Sequence, residues 1–155
     1  MTENKTQETA KLTADLLTVV LADEVVLYTK ARNYHWNVKG IHFFGLHSLF
    51  EKIYDELAED IDNIAERILT LGYNAPGTMT EFLKLSSIKE HPGQYPEATV
   101  MVQNFLEDYE SVTNKINRTA KKVQDEFADD VTAGMLFGLV EKYQKTAWMI
   151  KSVLK

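Results

Sequence analysis

Five residues in one stretch of this sequence carry groups able to ligate a metal: His35, His47, Glu51, Asp62 and Glu66. His47 and Glu51 are four residues apart, as are Asp62 and Glu66, so on an α-helix each pair offers two donors from adjacent turns. At ~100° and ~1.5 Å per residue, the four lie at about 0°, 40°, 60° and 100° around the axis. They form one lateral stripe beside an apolar face centred near about −80°. Glu51 and Asp62 are separated by roughly 16 Å of helix rise, too far for one ion's coordination sphere. One helix therefore offers two half-sites, and a second chain must complete each. Two copies packed antiparallel about a two-fold axis would set His47 and Glu51 of one against Asp62 and Glu66 of the other. Two sites about 22 Å apart would result. Ala58 and Ala65 fall on the same stripe and are small enough to let two backbones approach. His35 joins if the intervening chain, which contains Gly40 and Gly45, folds back beside His47.

Two imidazoles and three carboxylates with open positions suit redox-active iron, Fe(II) and Fe(III). A structural zinc site closes tetrahedrally, and magnesium prefers oxygen alone. The chain has no cysteine, which removes thiolate nucleophiles, disulfides and Cys-ligated clusters. The plainer reading of such an acidic helix is a solvated face. Weighing against it, Lys52, Glu56, Asp60 and Arg67 are expected on the opposite, solvent side, leaving the four candidates in register beside small residues and hydrophobes. His42 stands in the hinge IHFFG, where it could support the site, and His91 is expected to be exposed. Trp36, next to His35, is a possible redox neighbour, although Trp36 and Trp148 are read first as core anchors.

The elements that must position these residues read as all-α. Apolar residues Leu12, Leu16, Val19, Val20, Val26 and Leu27 recur at helical spacing, carrying a first helix to about Tyr34 or Trp36. A second helix runs from about Gly45 to Leu71 on the stripe Leu46, Phe50, Ile53, Leu57, Ile61, Ile64 and Ile68, with Gly72 as its stop. All three prolines fall between positions 76 and 96. That connector is expected to hold a short helix, Glu81 to Leu85, behind Thr80 as N-cap. A third helix is expected to begin with Pro96 in its first turn and reach Phe127. A fourth follows Asp129 or Asp130 as N-cap. Two long helix pairs joined by a crossover describe a ferritin-like four-helix bundle with a short extra helix between the second and third long helices.

The chain has 155 residues, 45% hydrophobic and 26% charged, the balance of one domain: a polar tail over 1–10 and a single domain over 11–155. The first ten residues hold no apolar leader, and no stretch is apolar enough for a membrane span, so a cytoplasmic protein is expected. The net charge of −6 favours cations over phosphate backbones.

The segment NYHWNVKGIHFFGLHSLFEKIYDELAEDIDNIAERI resembles the ferroxidase-site signature of the Dps family, the DNA-binding proteins from starved cells or mini-ferritins. The similarity extends over nearly the whole chain, including the ending DDVTAGML…WMIKSVL. The resemblance implies a hollow dodecamer that oxidises Fe(II), with hydrogen peroxide in preference to dioxygen, and stores ferric oxyhydroxide. It also implies inter-subunit sites, His35, His47 and Glu51 coming from one chain and Asp62 and Glu66 from its neighbour. Asp125, Asp129 and Asp130 resemble the acids lining the family's three-fold pores. Glu51 departs from the pattern, since many members carry Asp there. Two Glu-x-x-His motifs, the mark of larger ferritins, are absent.

The alternative function is a nucleoid-compacting, DNA-binding protective protein with little ferroxidase activity. Residues 1–11 hold Lys5 and Lys11 against Glu3 and Glu8, a neutral tail, so weak or no DNA binding is expected. A purely structural bundle is the third possibility; it would keep its properties when His35 and His47 are replaced.

Overall fold

The computed structural model describes residues 2–155, with side chains from residue 5 onward. Five helices follow in order: α1 (Thr2–Asn37), α2 (Phe43–Thr70), α3 (Met79–Leu85), α4 (Ala98–Phe127) and α5 (Asp130–Val153). α1 packs on α2, α4 packs on α5, and α1 and α2 contact α4 and α5 respectively. The short α3 lies on α1 in the crossover. This is the ferritin-like bundle that the pattern predicts, and no strand occurs among the described residues.

The apolar stripe of α2 faces inward as its period requires. Leu46, Phe50, Ile53, Leu57, Ile64 and Ile68 are buried and Ile61 is half-buried. α1 keeps its expected stripe at Val20, Val26 and Leu27, which are buried, and departs from it nearer the N-terminus. Leu12 is exposed and Leu16 half-buried, while Leu17 and Leu21 are buried together with the polar Thr13, Asp23 and Glu24. Polar side chains on the inward face break the hydrophobic period that should have marked it. α1 also starts at Thr2, so the helix includes residues assigned to the polar tail; Met1 lies outside the described residues.

The punctuation is corrected in two places. α3 is capped by Thr78, not Thr80. Thr78 Oγ1 accepts from the Glu81 amide, and the Glu81 carboxylate accepts from the Thr78 amide, a reciprocal capping box that places Glu81 in the third helical position. Pro96 precedes the cap of α4 instead of entering its first turn, because Glu97 is extended with ψ 152°. Asp129 caps α5 by accepting from the Thr132 amide at 2.9 Å.

Buried ion pairs fasten the crossover. Asp23 of α1 accepts from Ser86 Oγ (2.8 Å) and the Ser87 amide (2.7 Å) and contacts the Lys115 ammonium of α4. Lys30 pairs with Asp108 and donates to the Lys89 carbonyl at 3.0 Å. Each charge thus has the partners that burial demands. Among the described residues no helix is long and apolar enough to cross a membrane.

Candidate metal centre

His35 lies in the last turn of α1, and His47 lies in the first turns of α2. The connection between them turns at Gly40, whose φ of +106° favours glycine. The fold-back brings the two imidazoles face to face, with centroids 3.7 Å apart and planes 20° apart. His35 Nδ1 is 2.7 Å from the His47 carbonyl oxygen, and His47 Nδ1 is 2.8 Å from the His35 carbonyl oxygen. A carbonyl oxygen only accepts, so each Nδ1 carries the proton and donates. Each Nε2 is then left with its lone pair, the tautomer a metal ligand requires. The backbone of each histidine thereby orients the other's ring.

Aromatic neighbours hold the pair. Phe43 stacks on His47 at 4.9 Å, and Tyr54 meets the His35 ring edge-on at 5.2 Å. Tyr54 is one of three rings around the Arg32 guanidinium, with Tyr28 and Trp36, at 5.1 to 5.5 Å. Arg32 also donates to the Tyr28 hydroxyl at 2.6 Å. Burial, then the negative charges of Glu51 and Asp55, raise the Tyr54 phenol above its ordinary pKa. Of these supporting residues only Trp36 was singled out in the sequence; the spacing Tyr28, Arg32, Trp36, one helical turn apart, was the available signal for the others on α1.

The carboxylates stand apart from the histidine pair. Glu51, Asp62 and Glu66 are exposed along α2, with Ala58 exposed and Ala65 half-buried on the same stripe. Among the described residues no group of three or more His, Cys, Asp or Glu comes together within the chain to hold a metal ion. The structure thus joins His35 with His47, and leaves the three carboxylates as an open acidic stripe.

The opposite edge of α2 is not the solvent face expected of it. Lys52 is exposed, but Asp60 is buried at 2% exposure, against Lys142 and Tyr143 of α5. Arg67 is half-buried and reaches Thr132 at 2.8 Å and Asp129 at 3.1 Å. α5 covers that edge, which a run of charged residues had disguised. Trp36 and Trp148 are also exposed, at 63% and 65%, and are not core anchors. His42 and His91 are exposed.

Of the candidate pore acids, Asp125 and Asp130 are exposed, while Asp129 is engaged by the α5 N-terminus and Arg67. Partial burial would raise the Asp129 carboxyl. The Thr132 hydrogen bonds and the Arg67 guanidinium outweigh that and hold it below the usual range.

With this geometry in hand, known proteins offer close parallels. The ferritin-like domain family matches residues 14–155. A DNA protection during starvation protein 2 of Bacillus anthracis is 40% identical over 145 residues, covering 93% of this chain and 97% of the relative. The crystal structure of a Dps protein from Bacillus brevis superposes with TM-score 0.90 at 36% identity, covering 96% of this chain and 98% of that one. A Dps structure from Vibrio cholerae O1, described as a member of a broad superfamily of ferritin-like diiron-carboxylate proteins, also gives TM-score 0.90, at 30% identity over 96% of this chain and 92% of that one.

Proposed function

The chain belongs to the Dps family of ferritin-like proteins, and on that footing we propose that it oxidises Fe(II) with hydrogen peroxide at sites shared between two copies and stores ferric oxyhydroxide inside a dodecameric shell. The observation that carries this reading is the reciprocal histidine pair, which presents two lone-pair nitrogens on rings fixed by backbone carbonyls. Helix rise supports the shared site, because Asp62 and Glu66 cannot reach the histidines of their own chain.

In this reading Fe(II) is substrate. His35 Nε2, His47 Nε2 and Glu51 of one copy meet Asp62 and Glu66 of a second. Anionic oxygens favour Fe(III) over Fe(II), because the trivalent ion gains more from each negative charge, so the ligand set promotes electron loss. Two Fe(II) ions each give one electron to a hydrogen peroxide molecule, whose O–O bond breaks. With two protons it leaves as two waters, and hydroxyl radical is not released. Asp125 and Asp130, exposed at the junction of α4 and α5, are the acids able to attract entering cations.

Anaerobic Fe(II) titration followed by mixing with peroxide tests the reading. Native protein is expected to bind Fe(II) and oxidise it rapidly. His35→Ala/His47→Ala protein should retain its helical spectrum and assembly while losing rapid oxidation. Unchanged oxidation in that variant would leave a structural bundle as the better description.

A further inference from the structure

Midway along the bundle, a polar layer interrupts the apolar packing, and every long helix contributes to it: Glu24 from α1, Asp60 from α2, Tyr109 from α4 and Tyr143 from α5. Glu24 and Tyr143 are fully buried. The Tyr143 hydroxyl lies 2.7 Å from Glu24 Oε1 and 2.9 Å from Asp60 Oδ2. A phenol has one proton to donate and lone pairs with which to accept. If both carboxylates were ionised, that single proton could serve only one of them. The other would face an oxygen lone pair across hydrogen-bond distance with no hydrogen between. The geometry requires a second proton.

The placement of charge decides which carboxylate holds it. Asp60 is in contact with the Lys142 ammonium, which compensates its negative charge. Glu24 has no such partner: its Oε2 is buried and without a hydrogen bond. The groups facing it are known from each element. Its neighbour Asp23 on α1 is engaged with Lys115 of α4 and with Ser86 and Ser87 after α3. α2 presents Asp60, and the charge of Glu56 reaches Tyr109 of α4. α5 presents Tyr143 and Lys142.

We infer that Glu24 is a neutral carboxylic acid in the folded bundle, donating to the Tyr143 hydroxyl, which donates in turn to Asp60, so that a proton-operated lock joins α1, α5 and α2. Burial pushes the Glu24 carboxyl up to about 8, against an ordinary value of 4.5. Asp60 and Asp23 add to the rise and Lys142 opposes it; Tyr143 would oppose it only by giving Glu24 the proton that it gives Asp60. A folded-state value above the unfolded one fixes the sign. The stabilisation is full below about 4.5 and is lost as pH rises through about 8, because in that window the native chain keeps a proton that the unfolded chain has released. The bundle therefore loosens on the alkaline side.

Infrared spectroscopy and thermal unfolding of the purified protein between about pH 4.5 and about pH 10, for native protein and Glu24→Gln, test the lock. At the acid end the native protein should show the carbonyl stretch of a protonated carboxylic acid, which Glu24→Gln lacks. The band should disappear with a midpoint near 8. Relative to Glu24→Gln, the native unfolding midpoint should fall from about pH 4.5 to about pH 8 and run parallel to it above that. A native spectrum without a titrating protonated-acid band, or unfolding profiles of the two proteins that run parallel between about pH 4.5 and about pH 8, would overturn the inference. Should Glu24→Gln fail to fold, the band's titration in native protein, with the carbon-13 shifts of its glutamate carboxyls, decides alone.

Discussion

At the residue scale, the site depends on two imidazoles whose protons are placed by each other's backbone. His47→Ala removes one lone pair, the stacked ring and the Nδ1–H bond to the His35 carbonyl, while the backbone carbonyl of residue 47 still holds the His35 ring. Its rate of Fe(II) oxidation should fall by at least about tenfold to a hundredfold, the scale on which metal sites respond to loss of even a supporting group. A stopped-flow trace with peroxide measures this, and a change under twofold would remove His47 from the site. Sequence spacing made the histidines and carboxylates legible, because ligand type and helical period suffice to find them. The reciprocal carbonyl bonds were hidden, since they depend on how the residues around Gly40 turn. Asp60 was misplaced for a different reason. Amid Glu56, Glu59 and Asp62 it reads as one more solvated acid, and only the arrival of Lys142 and Tyr143 from α5 makes its burial tolerable.

At the element scale, α2 is the beam that separates the two half-sites, so its inward stripe must hold. Leu57 and Ile64 are fully buried, and either replaced by Ala should cost about 2–5 kcal/mol in denaturant unfolding. Asp129 matters at the start of α5. Asp129→Ala loses both the cap and the Arg67 contact and should destabilise by about 1–2 kcal/mol, whereas Asn, which also caps, should cost less. The Asp129 carboxyl is held below its usual range, so its contribution is present at neutral pH and is lost as pH falls from the unfolded value of 3.8 through the folded one. Acid titration of native and Asp129→Asn proteins should show a steeper loss in the native chain; equal slopes would contradict the assignment. Among the helices, α2 was read from its sequence almost residue by residue, because no polar group intrudes on its core face apart from Asp60 at the edge. α1 was read correctly at Val20, Val26 and Leu27 but one position out at Leu12 and Leu16, since Thr13, Asp23 and Glu24 occupy inward positions where the pattern calls for hydrophobes.

At the scale of the whole molecule, the chain carries a net charge of −6 that any assembly of identical copies multiplies. Lys11, one of two lysines near the N-terminus, is already paired with Asp15 at 2.7 Å. Duplex DNA at about 150 mM salt should show no electrophoretic shift at low micromolar protein, because few phosphates could be neutralised; a shift there would revive the nucleoid reading. Assembly was legible only as a requirement, namely that ligands too distant along one helix need a second chain. The exposed Glu51, Asp62 and Glu66, with Ala58 between them, are consistent with that requirement. The most direct test is complementation between two disabled chains, His35→Ala/His47→Ala and Asp62→Asn/Glu66→Gln. Each alone should be inactive in peroxide-driven Fe(II) oxidation. Co-assembled at equal amounts, they should recover about a quarter of the native rate, since random pairing reunites an intact histidine half with an intact acid half at that frequency. Mixed assemblies that stay inactive would contradict a site built from two copies.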